Sequence, residues 1–231
     1  MAFHLFMSNS LERLAELFQE HLCFRSKDPF VPVRAVVANN GMGFFLKRTL
    51  ARKGRLGIAA HIECAFLQEF ISSQVRNILP PKEAEDYGAS LAAWSPSVLS
   101  WRIDAVLTRD PGRFPRWREY WEGKGGEGAA AERRHILSCE LAEALYRYQL
   151  YRRKKLDAWR QGGDPGSPQA ELFRILCEEV PDPDSFHAAF LSSTGRPLRE
   201  KLPGAVGVFG IGAMPEFYLQ CLRKLAESAE V

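Results

Sequence analysis

The chain has 231 residues, enough for one large domain or two small ones with a real core. A hydrophobic fraction of 46% and a charged fraction of 26% are ordinary globular values, and a formal net charge of +3 is too mild to argue for nucleic acid by itself. The five cysteines (Cys23, Cys64, Cys139, Cys177, Cys221) form no C-x-x-C pair and the five histidines no H-x-x-x-H pair, which sets aside the common zinc and redox motifs and predicts no metal site.

The opening MAFHLFMSNSLERL has neither a basic n-region nor a long apolar core, so it does not read as a signal peptide. No apolar run approaches the length of a membrane span, and the expectation is a soluble, cytoplasmic chain without membrane contact. Residues 3–7, FHLFM, predict a short strand. Leu11, Leu14, Leu17, Phe18 and Leu22 then recur at helical spacing, with Ser10 as N-cap and Glu12 in the first turn. VRAVVA (33–38) predicts a buried strand, followed by a glycine-bearing turn and a basic helix. GIAAHI (57–62) reads as a third strand, and FLQEFISSQVRNIL as a helix closed by Pro80-Pro81.

From residue 82 to 200 the strand signal vanishes. SVLSWRIDAVLT has helical spacing, residues 132–149 form a strong helix that breaks near Tyr151, and KKLDAWRQ resumes it. GKGGEG and QGGDPGSPQ are loops, and Asp182-Pro183 is an N-cap and N1 pair for a helix through Phe190. AVGVFGI (205–211) predicts a fourth strand, and EFYLQCLRKLAE an amphipathic helix. The runs at 33–38 and 205–211 do not alternate, as expected of parallel strands covered on both faces. The chain is therefore expected to be α/β at both ends, residues 1–80 with 201–231, around an all-helical insertion at residues 81–200.

AVVANNGMGFFLKRTLARK (35–53) has the outline of a phosphate loop. G-x-x-x-x-G-K-[ST] needs glycines for backbone approach, a lysine for phosphate charge and a hydroxyl for magnesium. With Gly43 as the second glycine, the first falls on Ala38, the lysine on Phe44 and the hydroxyl on Phe45. Both chemical positions are apolar, so no nucleotide cofactor is expected. On residue chemistry alone the stretch is an ordinary strand-to-helix turn, with Gly41 and Gly43 supplying backbone freedom.

The region DPFVPVRAVVANNGMGFFLKRTLARKGRLGIAAHIECAFLQEFI resembles the opening of the exodeoxyribonuclease V gamma subunits, the RecC family. The resemblance rests on Ser8-Asn9, Asp28-Pro29-Phe30, Gly41-Met42, Leu46 and Gly57-Ile58-Ala59-Ala60, with His61 where the family has asparagine. Three later segments keep the family's order: LSWRIDAVL, YRRKKLDAWRQG and VGVFGIGAMPEFYLQCLRKLA. The resemblance implies a P-loop-NTPase-like, UvrD-type helicase domain that has lost its ATPase motifs and carries a large helical insertion. It implies a non-catalytic DNA-binding and scaffolding role in the RecBCD helicase–nuclease, with no active site of its own. It implies single- and double-stranded DNA, the RecB and RecD subunits and the remainder of the RecC chain as partners, and places Chi reading near the first turn. Full members are much longer than this chain.

Two groups are candidate DNA contacts. Around the turn, Asn39, Asn40, Gly41 and Met42 would face base edges, Phe44 and Phe66 would stack, and Lys47, Arg48 and Arg52 (with Lys53 and Arg55) would meet phosphates. Arg147, Arg152, Arg153, Lys154, Lys155 and Arg160 alternate with Tyr146, Tyr148, Tyr151 and Trp159, a pattern that suits backbone grip with base stacking. The competing reading is a solvated helix face in the first group, and core aromatics with solvated charges in the second. Arg113, Arg116, Trp117 and Arg118 form a weaker third cluster. The alternatives in function are a subunit-docking module without DNA contact, a working P-loop ATPase, or an unrelated small α/β protein.

Overall fold

A computed structural model describes residues 3–23, 32–52, 56–59, 62–123, 126–192 and 205–227. The chain divides into two compact units, Met1–Leu79 with Phe190–Val231, and Pro80–Ala189. The Asp28-Pro29-Phe30 segment, Ala60-His61, Lys53 and Arg55 lie outside the described residues.

The first unit is built on three parallel strands, β1 (Val33–Val37), β2 (Ile62–Phe66) and β3 (Val206–Phe209), in the order β2-β1-β3. The central strand β1 has Ala35, Val36 and Val37 buried, as a parallel strand covered on both faces requires. Its ends are level with its neighbours: Val37 pairs with Phe66 on one side and Phe209 on the other. Helices α1 (Leu11–Phe18, continued by a π-helical turn at Gln19–Cys23), α2 (Asn40–Leu50), α3 (Leu67–Ile78) and, near the C-terminus, an amphipathic helix (Glu216–Leu225) accompany the sheet. Ser10 caps α1 through its hydroxyl, which accepts from the Arg13 amide at 3.2 Å. Ala15, Phe18, Leu46, Leu50 and Phe209 form the core of this unit with the strand residues.

Three expectations change here. Residues 3–7 form no strand: no ladder joins them to the sheet among the described residues, and Leu5 and Met7 are exposed. The strand expected at 57–62 lies at Ile62–Phe66 instead. Gly57 has φ +75°, the left-handed region that glycine adopts at no steric cost, and residues 56–59 are turn and coil. The sheet of the described residues therefore has three strands, and the last spans 206–209 rather than 205–211.

The second unit is helical throughout its described residues: α4 (Pro81–Ala93), α5 (Pro96–Arg109), α6 (Pro115–Trp121), α7 (Glu127–Tyr151), α8 (Arg153–Arg160), α9 (Pro168–Glu179) and the start of α10 (Pro183–Ser192). Prolines open five of these seven helices, α4, α5, α6, α9 and α10, at a position whose N–H would have no intrahelical partner. α5 packs along α7, and Trp94, Leu99, Ile103, Leu145, Trp159 and Phe173 are central to the core. The Trp94 indole N–H donates to the Val180 carbonyl at 3.1 Å, and the Arg102 guanidinium donates to the Leu176 carbonyl at 2.8 Å, so buried polar groups of α5 and its flanks are matched.

Candidate nucleic-acid interface

The turn after β1 is two residues long, Ala38 and Asn39, and α2 begins at Asn40. Gly41, Met42 and Gly43 are therefore helical and do not form an extended phosphate-cradling loop, a correction to the outline read from the sequence. The reason is local. Asn39 caps the helix, its side-chain oxygen accepting from the Met42 amide at 2.9 Å while its carbonyl accepts from Gly43 at 3.2 Å. Gly43 serves packing: a Cβ there would lie 3.3 Å from Cys64 Sγ and 3.6 Å from Val37.

The two phenylalanines at the lysine and hydroxyl positions have opposite fates. Phe45 turns inward and stacks on Phe209, with ring centroids 6.4 Å apart and planes at 13°. Phe44 points out and is 67% exposed. Phe66, at the level C-terminal end of β2, is 42% exposed. Asn39, Asn40 and Gly41 are exposed and Met42 is half-buried. With its oxygen engaged in the cap, Asn39 presents its amide N–H groups. Arg48, one turn beyond Phe44, and Arg52, just past the helix, are exposed. Lys47 is half-buried, and its charge opposes the rise that burial imposes on the Cys64 thiol. The C-terminal edge of an open parallel sheet is where ligands of α/β folds bind, so the expected turn residues are brought to a place suited to one.

In the second unit the basic run is split. Arg152 and Lys154 are exposed, and Tyr151 is 70% exposed. The Arg152 guanidinium lies 5.3 Å from the Tyr148 ring centre, and the Lys155 ammonium lies 5.4 Å from Tyr148 and 5.0 Å from Trp159. Trp159 is buried in the core, and Tyr146 and Tyr148 are half-buried. Arg147 pairs at the surface with Glu143 at 3.2 Å. Arg153 instead faces the buried Asp184 at 3.3 Å, and Arg160 the buried Asp182 at 2.7 Å. These acids carried no signal in the sequence beyond the Asp182-Pro183 cap, because their partners lie more than twenty residues away in the chain. The cluster at 113–118 is not assembled into one surface: Arg113 pairs with Glu171, Arg118 with Glu122, and Trp117 stacks on Phe114 at 5.0 Å.

A separate cavity of about 940 Å³ lies in the first unit between residues 3–9, α1 and β3. Phe3, Phe6, Leu14 and Phe18 are among its apolar walls.

Residues 3–231 match the family model described as RecC, N-terminal domain. The chain belongs to this family. It is 30% identical over 243 residues to the RecBCD enzyme subunit RecC of Escherichia coli (strain K12), a match covering 96% of this chain and 20% of the relative. The RecBCD enzyme subunit RecC of Haemophilus influenzae is 23% identical over 266 residues, covering 99% of this chain and 23% of the relative. The chain thus spans about a fifth of the length of the curated relatives it matches. The exposed turn at 38–44 and the exposed part of the 147–155 run each combine aromatic rings with amides or cations.

Proposed function

We propose that this chain supplies the N-terminal region of a RecC subunit of the RecBCD enzyme, exodeoxyribonuclease V, and acts on DNA without catalysing a reaction. In this reading the sheet-bearing unit is an inactive UvrD-type motor domain and the helical unit its insertion. The partners are DNA, the RecB and RecD subunits and the remainder of RecC, and the setting is double-strand break repair and recombination. The role is to guide or scan a single strand, with the β1–α2 turn as the Chi-reading neighbourhood.

The observation that carries this reading is Phe44. It stands exposed at the C-terminal edge of the sheet, where a nucleotide loop would place its lysine, next to Asn39 and Asn40. An exposed ring there suits a base far better than a triphosphate, since phosphoryl transfer depends on the missing cation and magnesium ligand. Arg48 and Arg52 would meet the strand's phosphates, and Arg152, Lys154 and Tyr151 would form a further grip.

The test is a fluorescence-anisotropy titration of a labelled single strand with the wild-type chain, Phe44→Ala and Lys154→Glu at several salt concentrations, with MgATP binding measured in parallel. Binding is expected to weaken with salt and with either substitution, and MgATP to leave the chain unbound. Affinity indifferent to salt and to both substitutions would replace this reading with a subunit-docking module. Tight MgATP binding would favour the ATPase instead.

A further inference from the structure

The basic residues of α8 do not form one surface. Arg153 and Arg160 stand seven residues apart, two turns along the same side of the helix, whereas Arg152 and Lys154 flank Arg153 on other sides. Arg153 and Arg160 meet two buried acids at the head of α10. Arg153 Nη2 lies 3.3 Å from Asp184 Oδ1, and the Asp184 side chain is only 4% exposed. Arg160 Nη2 lies 2.7 Å from Asp182 Oδ2, whose side chain is 1% exposed, while Arg160 Nη1 meets Asp157 at 2.6 Å. Carboxylates this deeply buried need a paired cation, and each takes an arginine from α8.

The same Asp184 oxygen is 3.1 Å from His187 Nδ1, and the Tyr87 hydroxyl is 2.9 Å from His187 Nε2. With the ring proton on Nδ1 donated to Asp184, Nε2 accepts from the tyrosine hydroxyl. A continuous set of polar contacts therefore runs from α4 through α10 to α8.

We propose that Asp182 and Asp184 are positioning residues that fix the rotation of α8, holding Arg153 and Arg160 as anchors and so leaving Arg152 and Lys154 exposed to a polyanion. The presented half of this inference rests on the single-stranded DNA reading above; the anchoring half does not.

The test uses the full 231-residue chain. Arg153→Gln, Asp184→Asn, their double variant and Lys154→Gln are compared in urea unfolding and in salt-dependent binding of a labelled oligothymidylate. Lys154→Gln is expected to leave the unfolding midpoint unchanged and to reduce the log–log salt slope by about 0.7, the value for one single-strand phosphate contact. Arg153→Gln and Asp184→Asn are each expected to lower the midpoint, with the double variant losing less than their sum. Asp184→Asn is also expected to weaken binding severalfold. Simple removal of a negative charge beside a basic surface would strengthen it, so this sign separates positioning from bulk electrostatics. Unchanged or tighter binding by folded Asp184→Asn overturns the positioning role, and strictly additive midpoints overturn the anchoring pair. If the wild-type chain shows no salt-dependent binding, the DNA reading fails, and the anchors are judged on the unfolding cycle alone.

Discussion

Gly210 ties the third strand to the candidate turn, and Gly210→Ala tests that connection. Gly210 follows β3 with φ +68°, where an L-residue with a Cβ is strained by about 1–2 kcal/mol. An added Cβ would also lie 2.6 Å from Met42 Sδ and 2.7 Å from Met42 Cγ. Over-packing costs roughly 1–3 kcal/mol in general, but Met42 is half-buried and flexible, so the lower end applies. The sum is a loss of about 2–3 kcal/mol. The assay is the urea midpoint, with Gly212→Ala as control, because nothing lies within 4 Å of a Cβ there and no left-handed φ is involved. Adding Met42→Ala to Gly210→Ala should relieve the clash but not the backbone strain, giving a coupling of about 1 kcal/mol between the two sites. A Gly210→Ala chain as stable as the control would refute the reasoning, since strain and contact would both be absent.

Phe44→Ala should change stability by no more than about 0.5 kcal/mol, as an exposed side chain, while lowering single-strand affinity by about 1–3 kcal/mol for one lost base stack; unfolding and anisotropy on the same sample check both halves. Trp159→Ala, by contrast, removes a buried ring packed on Tyr148 and Phe173 and should cost about 3–5 kcal/mol in urea unfolding. Burial holds His187 below its ordinary value, with Asp184 opposing and Arg153 adding to the fall. The unfolded chain then takes up a proton more readily than the folded one. Its contribution is present above the unfolded value of about 6.5 and is lost as pH falls below it. The wild-type midpoint should therefore drop between about pH 7.5 and about pH 5.5, and His187→Gln should flatten that drop; an unchanged slope in the variant would assign the effect elsewhere.

Where helices run was largely legible from spacing alone. The apolar repeat of 11–22, the FLQEFISSQVRNIL stretch and the break at Tyr151 all reappear in α1, α3 and the α7–α8 junction, because a helix is specified by hydrogen bonds within itself and by one apolar stripe. Strands were less legible. FHLFM has a strand-like composition but joins no ladder among the described residues, and β2 begins five residues later than the apolar run suggests, after the left-handed turn at Gly57. Pairing is a property of two segments, and only one of them is visible at a time in the sequence.

The candidate site divides in the same way. The amino-acid order by itself determined that lysine and hydroxyl are missing after β1, that Phe44 and Phe45 replace them, and that a dense basic run follows a long helix. Only the tertiary structure decided that Phe45 stacks on Phe209 while Phe44 meets solvent, and that Gly43 admits Cys64 rather than a phosphate. It likewise decided that Arg153 and Arg160 neutralise buried acids while Arg152 and Lys154 remain outside. Side-chain chemistry is carried by each residue alone, but exposure and charge pairing depend on which distant segment folds against it, here α10 on α8 and β3 beside α2.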